Sequence, residues 1–162
     1  MMEYTNKYWK MLMPLIKRSL TKRLGKEETA ELIKKADTVY RDMLNRIDDV
    51  GKDNPMASNI YECLVFLAVW KASDGKITVD GLREITREIM STPILKVAGL
   101  YINANKPTGI KRIEKMMTNS AKWIDEHPQY RAASWDFNFD PGKHSEGFYY
   151  HFTRCPLNTF AR

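Results

Sequence analysis

The residues of this chain that could do chemistry lie near its C-terminal end. His151, Thr153 and Cys155 alternate with Phe152 and Arg154, so in an extended segment the first three share one face. A cysteine near a histidine suggests nucleophilic catalysis, in which a thiolate adds to an electrophilic carbon. Distance argues against a direct pair within one straight strand. Four residues span roughly 13 Å, whereas proton transfer needs ~3 Å. The base for Cys155 must come from elsewhere, and Asp136 is a candidate if antiparallel pairing brings it to the same segment. Cys155 also precedes Pro156 and a stretch from Leu157 that reads as a helix opening. At such a strand-to-helix junction, helix N–H groups and Arg154 would favour a thiolate and hold an anion such as a substrate carboxylate. The plainer reading of Cys155 is a small buried apolar residue, and of Arg154 a solvated strand end. Cys63, between Glu62 and Leu64 in an apolar helix, reads as core, and His144 as a solvated loop residue. The methionines read as core or surface filler. Glycine-rich phosphate loops, paired-cysteine motifs, HExxH and GxSxG are all missing from the sequence, so no cofactor is specified.

The elements that must position these residues follow from pattern. Residues 130–139 and 148–155 alternate aromatic and polar side chains, which is the signature of half-buried strands. Asp140-Pro141-Gly142-Lys143 between them is a turn signal. Before them the spacing is helical. Residues 6–24 carry Tyr8, Leu12, Leu15, Ile16 and Leu20 on one side. Pro14 should kink or shorten that helix, and Gly25 should stop it. Residues 27–49 place Ile33, Ala36, Tyr40, Met43, Leu44 and Ile47 on a stripe, ended by Gly51. A third helix opens at Asn54-Pro55 and runs to about Ser73. It is apolar nearly all round, so Ile60, Leu64 and Leu67 should be deeply buried with Cys63 beside them. Thr78 caps a fourth over 79–91, Thr92-Pro93 opens a fifth to about Ala104, and a sixth covers about Ile110 to Asp125 with Ile113, Met116, Met117 and Trp123 as core. The expected fold is therefore α+β: about six helices over residues 1–127, packed on an antiparallel hairpin over 130–155, in one domain.

Composition narrows the class. The chain has 162 residues, 43% hydrophobic and 28% charged, which fits a folded globular domain rather than a disordered one. Two cysteines exclude a disulfide-rich scaffold and a four-thiolate zinc site. The longest apolar run, Cys63 to Trp70, is far shorter than the ~20 residues that cross a bilayer. These features suit a cytoplasmic protein with no membrane span. Of the net charge of +6, nearly all sits in residues 1–24, where Lys7, Lys10, Lys17, Arg18, Lys22 and Arg23 face one acid, Glu3. A nucleic-acid module would spread its charge along a binding face, so no nucleic-acid partner is expected. A solvated helix face is the plain reading, and a membrane surface or anionic partner is the alternative.

The stretches Trp135-Asp136-Phe137-Asn138-Phe139-Asp140-Pro141-Gly142 and Phe148-Tyr149-Tyr150-His151-Phe152-Thr153-Arg154-Cys155-Pro156-Leu157 resemble the middle of the L-2-amino-thiazoline-4-carboxylic acid hydrolase family. Phe-Thr-Arg-Cys-Pro after an aromatic strand is the most specific part. The resemblance implies hydrolytic opening of a small cyclic amidine to a carbamoyl-cysteine, as in bacterial cysteine formation. It places Cys155 in the catalytic role, with Thr153 and Arg154 beside it; His151 and Asp136 complete the candidate substrate-binding set. Members of that family continue with a helix, a further Cys and Asp, and a terminal strand, so this chain is expected to lack its C-terminal part. A hairpin without those following elements leaves edges exposed, and a homo-oligomer is expected. A non-catalytic ligand-binding or regulatory domain is the competing class.

Overall fold

The structure, a computed structural model, describes residues 2–93, 106–139 and 150–155. Five helices are described: α1 (Met2–Leu24), α2 (Lys26–Arg46), α3 (Ala57–Ala72), α4 (Val79–Met90) and α5 (Pro107–Glu126). A 3₁₀ helix (Pro128–Ala133) and two short strands, β1 (Asp136–Phe139) and β2 (Tyr150–Arg154), follow. The helix expected from Pro93 to Ala104, the turn at Asp140–Lys143 with His144, and the opening from Leu157 lie outside the described residues.

The expected α+β class is corrected. The chain is mostly helical, and among the described residues no sheet forms a layer on which helices pack. The two strands of four and five residues pair only with each other. A ribbon that small buries too little surface to act as a layer. Within the first unit α1 instead packs its apolar stripe against α2 and α4.

The chain divides into two compact units, Met1–Ile47 with Tyr61–Tyr101, and Asp48–Ile60 with Ile102–Arg162. In the first, α1 packs on both α2 and α4. Tyr8, Leu12, Ile16 and Leu20 recur every four residues along α1 and are all buried, as i, i+4 spacing requires. Pro14 does not break this helix. It is exposed, so the hydrogen bond it removes is on the solvent side, where water can serve the carbonyl. Gly25 does end it: its φ of 81° is open to glycine at little cost, and α2 begins at the next residue.

The buried stripe of α2 is Thr29, Leu32, Ala36 and Tyr40; Ala36 and Tyr40 were expected there, while Ile33, Met43 and Leu44 are its half-buried flanks. The helix also ends at Arg46, not at Gly51. Trp9 stacks on Tyr40 and Tyr8 on Tyr61. In α3 the residues of this unit alternate in pairs: Tyr61, Leu64, Val65, Ala68 and Val69 are buried, while Cys63, Phe66, Leu67 and Trp70 are half-buried. Leu67 is therefore a flank and not core. Thr78 caps α4 as its spacing foretold, its hydroxyl accepting from Gly81 N at 3.1 Å.

In the second unit Asn54 does more than cap. Its Oδ1 accepts from Met56 N at 2.9 Å, and its Nδ2 donates to Val50 O at 2.7 Å and Ala133 O at 3.0 Å. One buried side chain thus braces the loop between α2 and α3 and ties it to the 3₁₀ helix. Met117, Ser120 and Ile124 form the buried face of α5. Near its end Trp123 stacks with His127 and Tyr130. Gly51, at φ 90°, lies so close that a Cβ there would sit 2.6 Å from Trp123. Residues 130–133, expected to begin the first strand, belong to the 3₁₀ helix instead, because Pro128 starts a helical turn and Tyr130 is spent on this aromatic stack.

Candidate functional site

The ribbon carries four of the five candidate residues, and the fifth, Cys155, follows β2 directly. Antiparallel pairing sets Asp136 opposite Arg154, Phe137 opposite Phe152, Asn138 opposite His151 and Phe139 opposite Tyr150. The register slips between Asp136 and Phe137, leaving Thr153 as the extra residue of a bulge. Strict alternation fails at a bulge, so the argument that put His151, Thr153 and Cys155 on one face does not carry through it. Thr153 is exposed; Arg154 and Cys155 are half-buried.

Asp136 does reach β2, as antiparallel pairing allowed, but its partner is Arg154. Its Oδ2 lies 3.3 Å from Arg154 Nη2 and 3.3 Å from Nη2 of Arg131, which the 3₁₀ helix supplies. Two guanidiniums thus converge on one carboxylate oxygen, and among the described residues this cluster carries one uncompensated positive charge. Each contact is single and long, short of the paired geometry that a guanidinium makes with a carboxylate at full strength. Arg154 Nε is buried with no hydrogen-bond partner among the described residues, and so is Ser134 Oγ. An Asp136 carboxylate held by two cations serves as their counter-ion, which is a different role from base to a thiol.

Cys155 follows Arg154 directly, and neither cysteine is in a disulfide. Among the described residues, no group of three or more His, Cys, Asp or Glu could hold a metal ion. An open groove of about 380 Å³ lies elsewhere, lined by Trp70, Lys71, Asp74, Ile77 and Val79 among others; it contains none of the five candidates.

Sequence reasoning missed Arg131, because it sits in a segment that reads as strand by alternation. The signal that could have found it is Pro128, which favours a helical turn. It also missed Glu88 on α4, which accepts from Lys22 Nζ at 2.7 Å, Ser19 Oγ at 2.8 Å and Arg23 Nη1 at 3.0 Å, all on α1. Hydrogen bonds from these three, Lys22 foremost, hold the Glu88 carboxyl down at about 2 from its ordinary 4.5. On α3, burial raises the Glu62 carboxyl. In the core, burial raises the Tyr40 hydroxyl, with Tyr61 adding to it. Comparison with family models, curated proteins and solved structures finds no match to this chain.

Proposed function

We propose that the ribbon end binds a small carboxylate, and that the protein is a hydrolase that opens a small cyclic amidine such as L-2-amino-thiazoline-4-carboxylate to a carbamoyl-cysteine. The observation that supports this reading is the convergence of Arg131 and Arg154 on Asp136, directly before Cys155 in the chain. A ligand carboxylate would take up the spare positive charge and the unused guanidinium N–H groups. The ring carbon between sulfur and nitrogen is then the electrophile for Cys155. Thiolate addition and departure of the ring sulfur, protonated, leave an isothiourea on Cys155. One water adds to that carbon and the cysteine leaves, giving the carbamoyl product with one water consumed.

A second reading keeps the carboxylate and omits the chemistry. It is favoured by the engagement of Asp136 with two arginines, which leaves it occupied rather than available to deprotonate Cys155. Titrating the thiazoline carboxylate into the wild-type protein and into Cys155→Ser, with product followed by chromatography, separates the two. Binding in both with product only from wild type supports the hydrolase. Binding in both with product from neither supports the ligand-binding domain. An absence of binding in both rejects the site.

A further inference from the structure

The basic residues of α1 are unused by the ribbon site. At about 100° per residue, Lys7, Lys10, Lys17, Arg18 and Lys22 fall within an arc of about 140°. All five are exposed, with Pro14 exposed between them. The opposite arc holds Tyr8, Leu12, Ile16, Ser19 and Leu20, all buried. Arg23 falls on the opposite side, toward α4, where it pairs with Glu88 and Glu84, and Lys22 shares Glu88. This latch uses the C-terminal end of the stripe. Lys10, Lys17 and Arg18 form no ion pair among the described residues. The stripe from residue 7 to residue 18 is roughly 17 Å long.

We propose that this face docks on an anionic lipid surface by charge alone. Insertion is ruled out by the packing: the apolar side of α1 is buried within its own unit, so it cannot lie in the acyl boundary as an interfacial amphipathic helix does. What remains outward is a row of cations with no acidic residue among the exposed positions from Asn6 to Arg23. Four of the five bases are lysines, hydrated point charges that suit a field of headgroups better than the paired recognition of single phosphates. Between Asn6 and Arg23 the exposed face has no aromatic on which a base could stack, and α1, flanked by α2 and α4, is not free to enter a groove. A planar anionic surface is the partner that such a row fits. Each base near such a surface contributes about five-fold in affinity.

The test is flotation of the full chain with vesicles of phosphatidylcholine alone or with 30% phosphatidylserine. We expect binding to the serine-lipid vesicles at low salt, little to the neutral ones, and loss of binding near 1 M salt, where screening acts within ~3 Å. The triple variant Lys10→Gln/Lys17→Gln/Arg18→Gln should bind about 100-fold more weakly. Its substitutions are all exposed, and an unchanged thermal melt would show that folding is intact. Equal binding by the triple variant, binding to neutral vesicles, or tighter binding to duplex DNA than to the anionic vesicles at the same salt would each overturn the proposal.

Discussion

Replacing Glu88 by glutamine removes the charge that fastens α1 to α4 while keeping the side chain's size. The carboxylate takes three donors, from Lys22, Ser19 and Arg23. The ionisation displaced from 4.5 to about 2 would represent ~3 kcal/mol of stabilisation if the group were shielded. Its side chain is 35% exposed, and those of Lys22 and Arg23 are 56% and 32% exposed, so solvent screens most of that. Exposed pairs are worth ~0.2–1 kcal/mol each, which brings the expected loss to ~1 kcal/mol. The pH dependence has a definite direction. The folded carboxyl holds its proton less tightly than the unfolded one, so the contribution is complete above about pH 5. It declines as pH falls from 4.5 toward 2. Urea melts of wild type and Glu88→Gln at pH 7, 4 and 2.5 read this out. The gap should be ~1 kcal/mol at pH 7, shrink at pH 2.5, and narrow in high salt. A gap that is below 0.3 kcal/mol at pH 7, or that is the same at all three pH values, would refute the latch.

Gly51→Ala should destabilise the protein by ~2–4 kcal/mol in the same melts, since it combines a positive φ with a Cβ 2.6 Å from Trp123; a neutral effect would mean that the aromatic stack does not press on Gly51. Asn54→Ala should cost ~2–4 kcal/mol by stranding Met56 N and the carbonyls of Val50 and Ala133, and Asn54→Asp should recover only the first of these bonds. Leu64→Ala should cost ~2–5 kcal/mol and Leu67→Ala distinctly less, because the former is 2% exposed and the latter half-buried; equal losses would place both in the core.

Helix existence was legible wherever a cap and a period agreed. α5 begins at Pro107, three residues before the expected Ile110, since proline is tolerated in a first helical turn, whereas Thr78 caps α4 where expected, because a cap acts locally and needs no tertiary partner. Gly25 was legible for the same reason. Pro14 does not shorten α1, because the cost of the lost hydrogen bond depends on whether it is buried, and that is decided by which face α1 turns to solvent. Ile33 and Leu67 misled because a stripe read from sequence fixes the side of a helix only to within one position. The centre of a buried face depends on its neighbours. Alternation at residues 130–139 suggested a longer strand than forms, since Tyr130 alternates in sequence yet is needed by Trp123. The ribbon's register was beyond pattern reading altogether. A single bulge moves Arg154 opposite Asp136, and with it decides that the acid meets a guanidinium. The cysteine, the arginine beside it and the acid were all visible as residue types. The second arginine was hidden because 3₁₀ turns leave a weak periodic signal.

Calorimetric titration of L-2-amino-thiazoline-4-carboxylate into wild type and Arg131→Gln/Arg154→Gln shows whether the two arginines hold a ligand carboxylate. Saturable binding to wild type is expected, with a loss of about ten-fold or more in the double variant, since two charge-assisted contacts of ~1.5–3 kcal/mol each are removed, offset in part by the release of Asp136. Wild-type binding should weaken as chloride rises from 0.05 to 0.5 M, because the partly exposed guanidiniums are screened. Wild-type binding that the double substitution leaves unchanged would place the ligand elsewhere, and no binding by wild type at millimolar ligand would contradict the account outright.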